Sequence, residues 1–302
     1  METPHFIVAS AHSSGKGGYW SLTERDFQPI HPITNNCRQL SIWSLLLLSG
    51  VSSNASSPAP LPPSPHPSIQ IKRLSQERDR FPSILRADAS QPLYENALVI
   101  HNDDKRDVVA MLAIWKITDA TGQIHTIRLR SDIFMSVVPD SVLPSGQDLI
   151  LSPLGWIHPR NYSQMEKAGI SPDNPADVQR MADLLRQATS VSLSIDSVIF
   201  SDGEVCGVNS ARFDQLITAR KNAAVGITSQ VRNYMARGQD WRPYIDGITG
   251  TAQPAESHTE AYWQHHFAST LSSSQGGDDK ALLEYYEELP KPMAFHPCNK
   301  GN

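Results

Sequence analysis

The stretch Leu93–Arg130, LYENALVIHNDDKRDVVAMLAIWKITDATGQIHTIRLR, sets apolar, β-branched runs between two turn signals. Its first run, Leu93–His101, holds Leu93, Ala97, Leu98, Val99 and Ile100 and ends at Asn102-Asp103-Asp104-Lys105. Asn and Asp bond their own backbone and favour turns. The second run, Val108–Thr118, puts Val109, Met111, Ala113, Trp115 and Ile117 on one alternating face, with Val108, Ala110, Leu112 and Ile114 on the other. A strand apolar on both faces is a central strand covered on both sides. Asp119-Ala120-Thr121-Gly122 is the second turn, and Gly122 supplies the positive φ that a hairpin loop requires. Gln123–Arg130 then alternates Ile124, Thr126 and Arg128 against His125, Ile127 and Leu129. Together the runs predict a three-stranded antiparallel meander.

Downstream, Asp132–Val138 reads as a further strand or a crossover, and Gln147–Leu151 as a short strand with Leu149 and Leu151 on one face. Ser152–Asp173 reads as loop, because Pro153, Pro159 and Pro172 interrupt pairing. It contains a glycosylation sequon, Asn161-Tyr162-Ser163. Asn174-Pro175 opens a helix over 175–188, with Asn at the cap and Pro at the first helical position. That helix is expected to pack across one end of the sheets. In Val191–Phe200, Val191, Leu193 and Ile195 alternate with serines, but Val198 and Phe200 continue on the opposite parity. The change predicts a bulge near Asp196-Ser197. Asp202-Gly203 is a tight turn, and Glu204–Val208 returns as the hairpin partner. Asn209 caps a long helix whose apolar stripe runs from Phe213 to Tyr234 and stops at Gly238. Such a stripe must bury against the sheet or a second copy of the chain. Pro254–Ser272 and Lys280–Leu289 are further helical candidates, and Pro290–Asn302 reads as a tail.

Upstream, Met1–Asn36 lacks periodicity and reads as disordered. Leu40–Leu48, preceded by Arg38, has signal-peptide length and is too short to span a bilayer. Ser53-Asn54-Ala55 offers the small residues of a cleavage site, while the competing reading of the apolar run is a short buried helix. Ser56–Ser68 is a Pro/Ser spacer, semi-rigid and solvated. Ile69-Gln70-Ile71 begins the β region, and the charged run Arg73–Arg80 reads as a solvated edge. The chain therefore divides into a leader (1–55), a linker (56–68), a β domain with an inserted helix (69–208) and a helical extension with tail (209–302).

With Trp115 in a strand flanked by short hairpins, the middle of the chain resembles immunoglobulin-like and fibronectin-III-like domains. It lacks their Cys…Trp…Cys spacing, since no cysteine lies between Cys37 and Cys206. Ile195–Gly207, a hydrophobic-Asp-x-Val-hydrophobic-Phe-x-Asp-Gly strand and turn, is similar to exported bacterial proteins of unknown function. Neither resemblance implies an activity. The expected fold is mainly β with helices (α+β): an antiparallel immunoglobulin-like β-sandwich with a helical C-terminal extension.

The formal net charge of -5 gives no electrostatic case for nucleic acid or an anionic membrane. Three cysteines are too few for a disulfide scaffold. Cys37 lies in the leader, so Cys206 and Cys298 remain as a candidate disulfide in an oxidising compartment. Two unpaired thiols are the competing reading, because sequence does not fix the distance between their Cα atoms. Asp196, Asp202 and Glu204 gather on one hairpin and offer oxygen ligands for calcium. The EF-hand pattern is absent, and turn carboxylates that bond backbone amides are the favoured reading. His258, His265 and His266, with Glu256 and Glu260, depart from the spacing of helical zinc motifs and read as a solvated face. Ser14-Gly15-Lys16 lacks the leading glycine, strand and helix of a phosphate loop, and no G-x-S-x-G or G-x-G-x-x-G occurs. Cys206 as a nucleophile has no supporting context, and a small buried Cys is the commoner case. No catalytic, cofactor or metal residue is assigned. The expectation is an exported, non-enzymatic interaction or structural module of the periplasm or cell surface, without a transmembrane span. Its partner and oligomeric state are left open. The alternative is an exported hydrolase or metal-dependent enzyme that draws on Asp196, Asp202, His258 and His265.

Overall fold

A computed structural model describes residues 58–80, 91–135, 141–157, 159, 175–274 and 278–298, and the backbone of 25–27. The leader, the Leu40–Leu48 run, the sequon and Asn174 lie outside the described residues. The protein is mixed α+β, with two antiparallel-rich sheets and six helices among the described residues. The large sheet has the order β1 (Arg25–Phe27), β5 (Ile124–Asp132), β4 (Val108–Asp119), β8 (Ala188–Phe200), β9 (Glu204–Gly207), β10 (His296–Pro297). The small sheet has the order β2 (Ile69–Arg73), β3 (Leu98–Asn102), β6 (Asp148–Ser152), β7 (Gly155–Ile157). The helices are α1 (Gln91–Asn96), α2 (Pro175–Arg186), α3 (Phe213–Ala236), α4 (Arg242–Thr249), α5 (Glu260–Ser273) and α6 (Asp278–Glu288). No helix of the described residues is long and apolar enough to cross a membrane.

The expected meander is corrected. β4 and β5 form the predicted hairpin, but β3 leaves them and pairs with β2 and β6 in the other sheet. The cause lies in the turn. The Asn102 side chain donates to the carbonyls of Arg106 at 2.8 Å and Leu143 at 3.2 Å, which carries the chain between sheets instead of reversing it in plane. The free side of β4 is taken by β8, which matches it from Val108 to Asp119. Leu93 belongs to α1, not to a strand. β7 pairs with β6 inside the segment read as loop, α4 forms where no helix is predicted, and Ile133–Met135 is a 3-10 turn.

Both faces of β4 are buried, for different partners. Met111, Ala113, Trp115 and Ile117 join Leu98, Ile100, Leu149 and Leu151 of the small sheet in one apolar cluster. Val109, Ala110 and Leu112 join Phe213, Leu216 and Ile217 of α3 in a second. Val108 lies with the first cluster and Val109 with the second, opposite to strict alternation, because the β4–β8 register slips between Val108 and Ala110. The bulge read from the parity change in β8 is present. Ser197 pairs with Leu112 and Ile195 with Ala113, so Asp196 is skipped. This keeps Ile195, Val198 and Phe200 on one face despite their mixed parity.

The α3 stripe buries against the large sheet, with α5 and α6 completing that layer through Trp263, Phe267 and Tyr286. Asn209 Oδ1 accepts from Phe213 N at 2.8 Å and so satisfies an N–H of the first turn, although the residue flanking the helix is Arg212. Gly238 follows the helix at φ 66°. Inside the layer, Arg220 of α3 donates to Asp132 of β5 at 2.5 Å, with side-chain exposures of 3% and 4%. The guanidinium also lies 5.3 Å from the Trp263 ring centroid. A buried charge that loses its partner is strongly unfavourable, so this pair fixes α3 over β5.

Two parts of the chain are more firmly placed than their sequence suggests. The segment read as a solvated spacer is docked over its described portion, where Ala59 is buried and its N–H donates to Asn96 Oδ1 at 3.0 Å. The region read as a tail contains β10, which pairs in parallel with β9.

Asp132→Ala is expected to lower unfolding stability by about 3–5 kcal/mol, because it leaves Arg220 buried and unpaired. The double change Asp132→Leu with Arg220→Met is expected to lose less than the single one. Urea denaturation of the three proteins checks both outcomes.

Candidate thiol and metal-ligand site

β8 and β9 are joined by a tight turn at Asp202-Gly203. Gly203 sits at φ 94°, and a Cβ there would run into the Ala294 carbonyl. Glycine therefore lets the C-terminal segment lie directly on the turn. His296 N donates to Gly203 O at 3.0 Å and Cys298 N to Val205 O at 2.8 Å. This places Cys298 beside Cys206, 92 residues away in sequence, with Cα atoms 4.8 Å apart, and the two are joined by a disulfide.

Glu204 and Cys206 alternate on β9, so their side chains share a face while Val205 takes the other. Both are buried. His66, from the docked proline-rich segment, closes the site. Its ring meets Phe200 edge to face, with centroids 5.1 Å apart. One ligand atom from each of His66, Glu204, Cys206 and Cys298 lies within 4.8 Å of the others.

Arg106 organises the charge at this corner. It donates to Asp104 at 2.9 Å, Asp202 at 2.7 Å and Glu204 at 2.8 Å, and its guanidinium stands 4.3 Å from the Phe200 ring centroid. These hydrogen bonds, Asp104's first, raise the pKa of Arg106 further. The same contact holds the Asp104 carboxyl well below the usual carboxylate range. Burial, the largest single effect, pushes Asp202 up, but the hydrogen bonds from Arg106 and from backbone N–H groups, together with the Arg106 charge, outweigh it and the net shift is downward. On the far side, Ser68 Oγ lies 2.7 Å from His66 Nδ1 and donates to Asp104 Oδ2 at 3.1 Å.

Of the residues singled out from sequence, Glu204, Cys206 and Cys298 come together, while Asp196 and the histidines of the C-terminal region lie elsewhere. Asp196 is buried at the bulge and accepts from the Ser210 and Ala211 backbone N–H groups at 3.1 and 3.3 Å, ordering the approach to α3. Asp202 and Glu204 face Arg106. His258 lies 3.4 Å from Glu256, His265 Nε2 lies 3.0 Å from Thr251 O, and the His266 ring packs on Trp263. Asp196, Asp202, His258 and His265 do not appear in the ligand cluster, which is the one found among the described residues. A separate cleft of about 120 Å³ on the small sheet is lined by Lys72, Arg80, His101 and Asp148. Arg80 and His101 contact Asp148 at 2.5 and 3.0 Å, and Lys72 reaches Glu77 at 3.3 Å.

Sequence reading misses His66, because it lies within a stretch taken as spacer, and Arg106, because it follows a polar turn. One signal for the site is present. Glu204 and Cys206 are spaced i, i+2 on a strand, which puts a carboxylate and a thiol on one face. Comparison with protein-family models, curated proteins and solved structures found no match to this chain.

The Asp104–Arg106 contact makes stability pH-dependent with a definite sign. A carboxyl depressed by folding contributes stability that is present above its unfolded pKa of about 3.9 and is lost as pH falls through the lower folded value. The wild-type chain is therefore expected to melt at a higher temperature than Asp104→Asn at neutral pH. The gap should close as the solution is acidified below about pH 4. Thermal melts of both proteins across that range check this.

Proposed function

We propose that this chain is an exported, non-enzymatic interaction or structural module of the periplasm or cell surface, built on an immunoglobulin-like β-sandwich. The observation that carries the reading is the Cys206–Cys298 disulfide, which ties the C-terminal strand to β9. Disulfides persist in oxidising compartments and are rare in the cytosol. Closing so long a loop is worth about 2–4 kcal/mol, a gain that only an oxidising compartment keeps. The apolar run Leu40–Leu48 and the small residues before Ser56 supply a sorting signal in the same direction. The sandwich reading is supported by the single apolar cluster that gathers side chains from both sheets. A non-enzymatic role is supported by the mutual pairing of half-buried Arg106 and Asp104 with buried Glu204, which suits a fixed structural corner.

Fractionation of the native host with thiol alkylation tests the assignment. The expected result is a shortened chain outside the cytosol, in which Cys206 and Cys298 react only after reduction. An unprocessed cytosolic chain with both thiols open to alkylation contradicts it.

A further inference from the structure

We propose that, once the Cys206–Cys298 disulfide is reduced, the two sulfurs, the His66 imidazole and the Glu204 carboxylate form a tetrahedral site for a zinc-class divalent cation. The corner is then closed either sulfur to sulfur or through the metal. Two thiolates, an imidazole and a carboxylate are a donor set suited to tetrahedral zinc, with Zn–S near 2.3 Å and Zn–N near 2.0 Å. Those bond lengths put neighbouring ligand atoms roughly 3.3–3.8 Å apart. The four donors already lie within 4.8 Å of one another, so side-chain adjustments suffice.

Three further features fit a ligand set. First, the sulfurs stay together without their bond, because Cys298 is held on β9 by its own N–H to Val205 O at 2.8 Å and by His296 N to Gly203 O at 3.0 Å. Second, the imidazole is held in place through Nδ1, which lies 2.7 Å from the Ser68 hydroxyl and accepts from the Ser68 backbone N–H at 3.3 Å, while that hydroxyl donates to Asp104. A partner on one ring nitrogen fixes the orientation of the ring and with it the other nitrogen. Third, Arg106 holds Glu204 through Oε2 at 2.8 Å and so orients the carboxylate.

The chemistry balances with a dithiol as reductant. The dithiol gives two electrons and two protons to the protein S–S bond and becomes a disulfide itself. The two cysteines then bind the cation as thiolates and release two protons to solvent. The inference concerns the reduced chain and does not depend on where the protein resides.

The test uses the purified full chain, oxidised or reduced with a non-chelating phosphine, desalted under argon and titrated with Zn2+. Co2+ reports thiolate ligation by its absorption. The expected result is one tightly held zinc per reduced chain, none per oxidised chain, and a thiolate-to-cobalt band. Ser68→Ala, a positioning change outside the ligand set, should weaken binding about 10–100-fold. His66→Ala should weaken it further, and C206S with C298S should abolish it. The proposal is overturned if the reduced chain retains no zinc or unfolds, if the oxidised or double-serine chain binds equally, or if His66→Ala leaves affinity unchanged. Zinc-loaded protein recovered from the cytosol supports the site while contradicting export. An oxidised external chain that binds no zinc after reduction removes the site alone.

Discussion

The structure depends on a single constraint, the two-sided burial of β4. Val108–Asp119 carries apolar side chains on both faces, and Trp115, Met111 and Leu112 are fully buried. A strand of this kind cannot face water on either side. One side is met by the small sheet, the other by α3 and the helices stacked on it. The small sheet and the helices α3, α5 and α6 are placed by which side of β4 they cover. The slip between Val108 and Ala110 and the skipped Asp196 are the local adjustments that keep apolar side chains facing the correct layer along a long ladder.

The edge of the large sheet is handled differently from its centre. β9 would present an unpaired ladder, and exposed edges invite unwanted pairing. β10 covers it, fixed by a glycine turn, two backbone hydrogen bonds and a disulfide. The proline-rich segment then lays His66 against Phe200 from the other direction. Three distant parts of the sequence thus converge beyond the β8–β9 turn, and Arg106 neutralises the carboxylates that gather there. The buried Arg220–Asp132 pair plays a comparable part on the helical side, where it sets the position of α3 rather than adding much net stability.

Much of the local structure is legible in the sequence. Period-two alternation and its break reveal β8 and its bulge, and the stripe from Phe213 reveals α3. Which strands pair is less legible. Short apolar runs do not encode their neighbours: Leu98–Asn102 looks equally suited to β4 or to β2 and β6, and the turn that follows it is tied by a hydrogen bond from Asn102 to Leu143, a residue 41 positions away. The ligand cluster is hidden for the same reason. Its four members come from positions 66, 204, 206 and 298, and only Glu204 and Cys206 share an element. Of the acidic and histidine residues that stand out in the sequence, Asp196 is taken up by the Ser210 and Ala211 backbone, Asp202 and Glu204 by the distant Arg106, and His266 by the Trp263 ring.

Hydrogen exchange of the backbone amides of β4 tests the central claim most directly. If this strand is the doubly covered centre, the amides from Met111 to Ile117 exchange only by global unfolding, with the same free energy as denaturant unfolding. Exchange of those amides through local opening, at rates matching the edge strands, contradicts the account.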